Sequence, residues 1–275
     1  MVKKFGKEIV RKHHSHHHAV RAVLALGAFL LWVWAVPAKA GDPVPVKVGA
    51  YEYGVVYYFE DGSPRGIVPM LIDRLNGLQD TYRFELAETS SRRRYQALMN
   101  GELDLILLES AKWDWPAFDV LYSDPIVREK DIYLTLASQS DAKSLFADVS
   151  AHPMLCVLGF HYGFADFNAD PDYLRENFNV ELRYNESEVL NGLLAGEAPI
   201  GIVSAGFLAR RFASDPRLHE RLIIGDKPDA TYDLVSVLTR ESAIPLDEFN
   251  ALVARLLAGG EVEELWRQLH AGVSG

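Results

Sequence analysis

The chain has 275 residues, 49% of them hydrophobic and 24% charged, with a formal net charge of −10 and a single cysteine. The length suits one large domain or two lobes with separate cores, and the composition excludes a disordered chain or a multi-span membrane protein. One cysteine excludes an internal disulfide and a cysteine-built zinc site, and the acidic balance argues against nucleic acid as a partner.

The first forty residues read as a secretory leader. Lys3, Lys4, Lys7, Arg11, Lys12 and Arg21 make a basic start, Ala22 to Val36 is apolar, and Pro37-Ala38-Lys39-Ala40 ends in an Ala-x-Ala pattern. This is the three-part layout of a cleaved signal peptide, and the apolar run is short for a membrane span. An uncleaved anchor is the alternative. The histidines at 13, 14, 16, 17 and 18 fall in the segment expected to be removed. Cutting after Ala40 takes away seven of the 28 basic and one of the 38 acidic residues, leaving a net charge of −16. Cys156, within the apolar run Met154–Leu158, is expected to be a buried thiol, which suits export.

Beyond the leader, strand and helix patterns alternate. Val46–Ala50 reads as the opening strand, followed by an aromatic segment with Tyr51, Tyr53, Tyr57, Tyr58 and Phe59. Ile67, Met70, Leu71, Leu75 and Leu78 recur at helical spacing, with Gly77 as the expected stop. Tyr82–Leu86 is a strand, Arg92–Asn100 a helix closed by Gly101, and Leu103–Leu108 a buried strand. The pattern resumes with strand Met154–Leu158, helix Pro171–Phe178 capped by Asp170, strand Glu181–Tyr184, helix Ser187–Leu194 and buried strand Ile200–Ser204. Two amphipathic helices end the chain, stopped by Gly259-Gly260 and by Gly272. Alternation of this kind predicts an α/β fold with mainly parallel sheet. A weak repeat adds to it: an apolar helix, a Gly-Glu stop and a buried strand occur twice, with Gly101 and Gly196 standing 95 residues apart. Two lobes of similar topology are expected.

Ala97-Leu98-Met99-Asn100-Gly101-Glu102-Leu103-Asp104 and Tyr122-Ser123-Asp124-Pro125 make the pattern more specific. With the opening strand, Gly66 before its helix and the closing elements Tyr232–Arg240 and Leu246–Leu257, they resemble the family 3 solute-binding proteins. These are the periplasmic receptors of polar amino-acid ABC importers. The resemblance covers about 44–270. It implies a type II periplasmic-binding-protein fold, with hinge-linked lobes and a central ligand cleft. Lobe 1 would be 41–133 plus 228–275 and lobe 2 134–227, behind signal peptide 1–40. Many members carry an arginine after the Gly-x-x-Asp strand that grips the ligand carboxylate. Here that stretch is Glu109-Ser110-Ala111-Lys112-Trp113-Asp114-Trp115, where Lys112 would be a weaker substitute. The Asp that many members use for the ligand amine aligns with Ser204. With both determinants altered, ligand identity stays open.

Tyr51 and Tyr53 follow the first strand, where α/β proteins place ligands, and offer aromatic walls for a planar or cationic solute. Glu109 ends a buried strand beside Trp113 and suits an amine-bearing ligand. His161 and Tyr162 follow the first strand of the second lobe. The expected ligand-binding set is therefore Tyr51, Tyr53, Glu109, Trp113, His161, Tyr162 and Ser204. Arg92-Arg93-Arg94 and Arg210-Arg211 are expected on solvated helix faces. Val203-Ser204-Ala205-Gly206 lacks the glycine a nucleophile elbow requires, and the scattered histidines show no metal spacing. No cofactor, metal or catalytic residue is expected. The reading is a monomeric periplasmic solute-binding protein that captures a small polar, amino-acid-like solute for an ABC permease. The alternatives are a ligand sensor acting on a membrane receptor, and an enzyme resembling cyclohexadienyl dehydratase with Glu109 and His161 as its only nominable acid/base pair.

Overall fold

A computed structural model describes residues 41–273; the expected leader at 1–40 lies outside the described residues. In chain order the strands are β1 (Val44–Ala50), β2 (Tyr58–Glu60), β3 (Ser63–Arg65), β4 (Tyr82–Glu88), β5 (Leu105–Ser110) and β6 (Val120–Tyr122). They continue as β7 (Val127–Leu136), β8 (Met154–Val157), β9 (Val180–Arg183), β10 (Ile200–Ser204), β11 (Leu222–Ile224) and β12 (Ala230–Thr239). The helices are α1 (Ile67–Leu78), α2 (Arg94–Met99), α3 (Ala142–Ala147), α4 (Pro171–Asn177) and α5 (Glu186–Ala195). After them come α6 (Ala205–Ser214), α7 (Leu218–Arg221), α8 (Leu246–Leu257) and α9 (Glu261–Leu269).

The main sheet runs β4-β1-β5-β12-β7-β10-β8-β9. Each wing is parallel, as the alternating pattern predicts: β4, β1 and β5 on one side, β10, β8 and β9 on the other. The centre differs. β12 pairs antiparallel with β5 and β7, and β7 pairs antiparallel with β10. Two ten-residue strands, β7 and β12, therefore bridge the wings, and their register sets Ala230 opposite Asp131. The chain has the mixed α/β, two-winged organisation expected of a hinge-linked pair of lobes.

Local chemistry explains the element ends. α1 turns Ile67, Val68, Leu71, Ile72 and Leu75 inward and runs through Gly77 to Leu78, because nothing there needs a left-handed residue. Gly196 does adopt one, at φ 77°, and closes α5. Asp170 caps α4 by accepting from the Asp172 and Tyr173 amides at 3.0 and 2.8 Å. Cys156 is fully buried in β8, and burial pushes its thiol pKa up, so it stays protonated. No helix among the described residues is long and apolar enough to cross a membrane.

Candidate functional site

The C-terminal ends of β1, β5 and β8 converge where the two wings meet. β1 delivers Tyr51 and Tyr53, the segment after β5 delivers Trp113, and the turn after β8 delivers Gly159, Phe160 and His161. Arg94 from α2 and Asp131 from β7 complete the wall. The space between them is about 10 Å³, room for about one water.

Arg94 is one residue that sequence reasoning places wrongly. Arg92 and Arg93 are solvent-exposed as expected, but Arg94 is 1% exposed. The reason is helix geometry: Arg94 shares a face with Ala97 and Leu98, three and four residues on, and both are buried. Its guanidinium lies 4.7 Å from the centre of the Tyr51 ring and 4.3 Å from that of Tyr95. Its Nε donates to Glu109 Oε2 at 3.0 Å, and its Nη2 to the Tyr95 hydroxyl at 2.7 Å. Burial alone would lower the guanidinium pKa; Glu109, Tyr51 and Tyr95 together outweigh it and raise it.

Glu109 is thereby committed inside the protein. It is fully buried, and the Trp115 indole also donates to its Oε2, at 2.6 Å. The strand runs two residues past the expected end, and Leu108 takes φ 61°, an uncommon conformation for a branched side chain. The ladder to β12 slips nearby, between Val235 and Val237. Shifts of this kind re-aim side chains.

Tyr51, Tyr53, Trp113 and His161 line the cavity together. The Tyr53 ring stands edge-on to Trp113 at 5.8 Å and to Phe160 at 5.4 Å. His161 reaches across the cleft: its Nε2 lies 3.1 Å from Asp114 Oδ2 and 3.3 Å from the Tyr95 hydroxyl. Burial pushes the imidazole down, so it is neutral at pH 7, and the hydrogen bond with His161 holds the Asp114 carboxyl below its ordinary range. Tyr162 points away; its hydroxyl accepts the Val157 amide at 2.6 Å inside the second wing. Ser204 also stands off the cavity. It caps α6 through Phe207 N–H and donates to Glu186 Oε1 at 2.7 Å. Lys112 turns its Nζ to the Thr231 carbonyl at 3.2 Å and does not line the cavity.

Four lining side chains present polar atoms with no partner among the described residues: Arg94 Nη1, Trp113 Nε1, Tyr53 Oη and Asp131 Oδ1. Buried polar atoms are normally satisfied, so an unpaired set around one space is chemically informative. Two are pure donors, one a pure acceptor when ionised, and the hydroxyl can be either. Asp131 is 3% exposed, and its other oxygen accepts from the Tyr232 hydroxyl at 3.0 Å. Burial, then the nearby Asp229, Glu186 and Glu129 charges, pushes its pKa well up. Asp131 had no sequence signal: it is one charge in the Arg128–Asp131 run, and only the strand pairing brings it to the cleft.

Neither a family model nor a curated protein matches the sequence. Solved structures do. A putative binding component of an ABC transporter from Wolinella succinogenes, complexed with lysine, is 16% identical with TM-score 0.65, over 82% of this chain and 96% of its own. A histidine kinase sensor domain with similarity to periplasmic binding proteins is 17% identical with TM-score 0.66, over 84% and 98%. An ancestral amino-acid-binding protein, a precursor of cyclohexadienyl dehydratase, is 16% identical with TM-score 0.62, over 82% and 95%. At such identities the likeness establishes the fold. The chain has the two-lobed type II fold of periplasmic binding proteins.

Proposed function

We propose that the protein is a periplasmic solute-binding protein whose cleft, shut here around room for about one water, takes a small amino-acid-like zwitterion when the lobes part and delivers it to an ABC permease. One observation carries this reading. The unpaired donors Arg94 Nη1 and Trp113 Nε1 and the unpaired acceptor Asp131 Oδ1 line the same small cavity between the wings. A carboxylate suits the first two atoms, and an ammonium suits Asp131 with the Tyr53 hydroxyl and ring beside it. On this proposal Arg94 from α2 and Asp131 from β7 take the roles of the arginine and aspartate that the sequence lacks at the family's usual positions. In this reading residues 41–133 with 228–275 form lobe 1, residues 134–227 form lobe 2, and the leader at 1–40 directs a monomer to the periplasm. The bound ligand favours the closed state, which the permease recognises.

The likeness to a histidine kinase sensor domain supports a second reading, in which the closed form signals to a receptor. Both readings need binding and no bond chemistry. Glu109 is held through Oε2 by Arg94 and Trp115 and does not line the cavity, which makes it a poor base for an enzymatic role. The test is native mass spectrometry of the purified protein, followed by a melting-temperature screen across the amino acids and their short analogues. A zwitterion is expected to co-purify or to raise the melting temperature. A screen in which neutral sugars stabilise the protein and zwitterions do not would overturn the proposal.

A further inference from the structure

The aromatic segment after β1 does more than wall the cleft. Its turn, Tyr53 to Tyr57, is fixed to the first lobe: the Val55 and Val56 carbonyls accept the Ile67 and Val68 amides at 2.9 and 3.1 Å. Gly66 permits this close approach, since a Cβ there would lie 2.5 Å from the Val56 oxygen. The turn therefore moves with α1. Its other side meets the N-termini of α5 and α6, which pack on β10 in the opposite wing.

Three separate features mark that meeting. First, the Gly54 N–H donates to Glu186 Oε2 at 2.7 Å, a buried bond between residues 132 apart in sequence. Glu186 is itself fixed, because its Oε1 accepts from the amide and hydroxyl of Ser204, both at 2.7 Å. Second, two glycines face the contact. A Cβ on Gly54 would sit 2.5 Å from Ser204 Oγ, and one on Gly206 would sit 2.7 Å from Val55 Cγ2. The backbones approach only because both positions lack side chains. Third, the Arg210 guanidinium stacks at 4.1 Å on the Tyr58 ring, from α6 onto β2. Arg210 belongs to the basic pair expected on a solvated face, and it is instead half-buried against the other lobe.

We infer that the Tyr53–Tyr57 turn and the N-terminal end of α6 form a closure clasp, a second joint between the lobes that holds them shut independently of the cleft contents. Val55 seats over Gly206, Glu186 receives the Gly54 amide, and Arg210 covers the rim on Tyr58. Neither Gly206, Val55 nor Arg210 lines the central cavity. The clasp sets the population of the closed state, and any affinity scales with that population. The inference rests on the fold and the contacts, whatever the cleft carries.

Amide exchange of Gly54, followed by NMR on the purified protein without added solute, reads the clasp directly. Gly54 is expected to be protected. Gly206→Ala should speed its exchange by at least about tenfold, the scale of a local opening made easier. Arg210→Ala should speed Gly54 exchange while leaving the β8 amides protected, which separates an opened clasp from a failed fold. A Gly54 amide that exchanges freely in the unaltered protein would overturn the inference. So would unchanged exchange in Arg210→Ala.

Discussion

At the scale of single residues, the Arg94–Glu109 pair is a buried charge pair at the wall of the cleft. Both side chains are essentially fully buried, and a buried pair costs desolvation that its attraction and hydrogen bonds must offset. Removing one partner is then worse than removing both. Arg94→Met is expected to cost about 3–5 kcal/mol in urea unfolding, because Glu109 is left as an uncompensated buried charge. Arg94→Met with Glu109→Leu should lose less than Arg94→Met alone. If Arg94→Met unfolds within about 1 kcal/mol of the unaltered protein, the pair is not the structural unit described here.

A second residue-scale prediction concerns pH. Burial raises the Glu186 carboxyl from 4.5 to about 7, against the opposing hydrogen bonds from Ser204 and Gly54. An acid whose pKa is raised by folding binds its proton more tightly in the folded state. The stability contributed by this group is therefore fully present below pH 4.5 and is lost as pH rises to about 7, on the order of 3 kcal/mol. His270 adds a loss in the same direction: although burial opposes it, its bond to Glu129 raises its pKa, so its contribution fades as pH rises through the raised value. A pH series of melting temperatures should slope downward over this window. Glu186→Gln should flatten the slope while lowering stability overall, since its amide nitrogen cannot accept the Gly54 N–H.

At the scale of elements, much of the fold was legible in the sequence. The period-two and buried runs at β1, β4, β5, β8, β9 and β10 showed themselves, and the Gly101 and Gly196 stops stood out. The Asp170 cap was also readable, and Asp170→Ala should cost about 1 kcal/mol, read as lost amide protection confined to α4. α6 was not legible. Arg210 and Arg211 break its pattern, and Ala205, Gly206, Phe207, Leu208 and Ala209 are buried in succession, so its first turns show no single apolar stripe. Ser204 was readable as notable but not as a cap, because its place at the strand end, where many members of the family carry the amine-binding Asp, points to a ligand role. Its role is structural: Ser204→Ala should cost about 1–2 kcal/mol, more than Asp170→Ala, because it loses the cap and the Glu186 bond together.

The candidate site was half legible for a similar reason. Tyr51, Tyr53, Trp113 and His161 lie just past strand ends, and strand ends can be found from pattern alone. Arg94 and Asp131 lie inside elements. Their inward direction depends on which face of a short helix is covered and on how β7 registers with β12, and neither is written in local sequence.

At the scale of the whole molecule, the two bridging strands carry the functional argument. Asp131 on β7 hydrogen-bonds Tyr232 on β12, so an unpaired acceptor of the cleft sits on the hinge itself. A ligand ammonium there would favour the ionised carboxylate, whose pKa burial holds high. Affinity for an amine-bearing solute should therefore rise with pH and level off once the free protein has lost that proton. Hinge position, charge and closure are thereby joined in one residue. The most direct test is isothermal titration calorimetry of the stabilising zwitterion against the unaltered protein and Asp131→Asn. The account predicts one site per chain in the unaltered protein and an affinity at least about tenfold weaker in Asp131→Asn, as for the loss of a charge-assisted bond. Equal affinity in both proteins would contradict it.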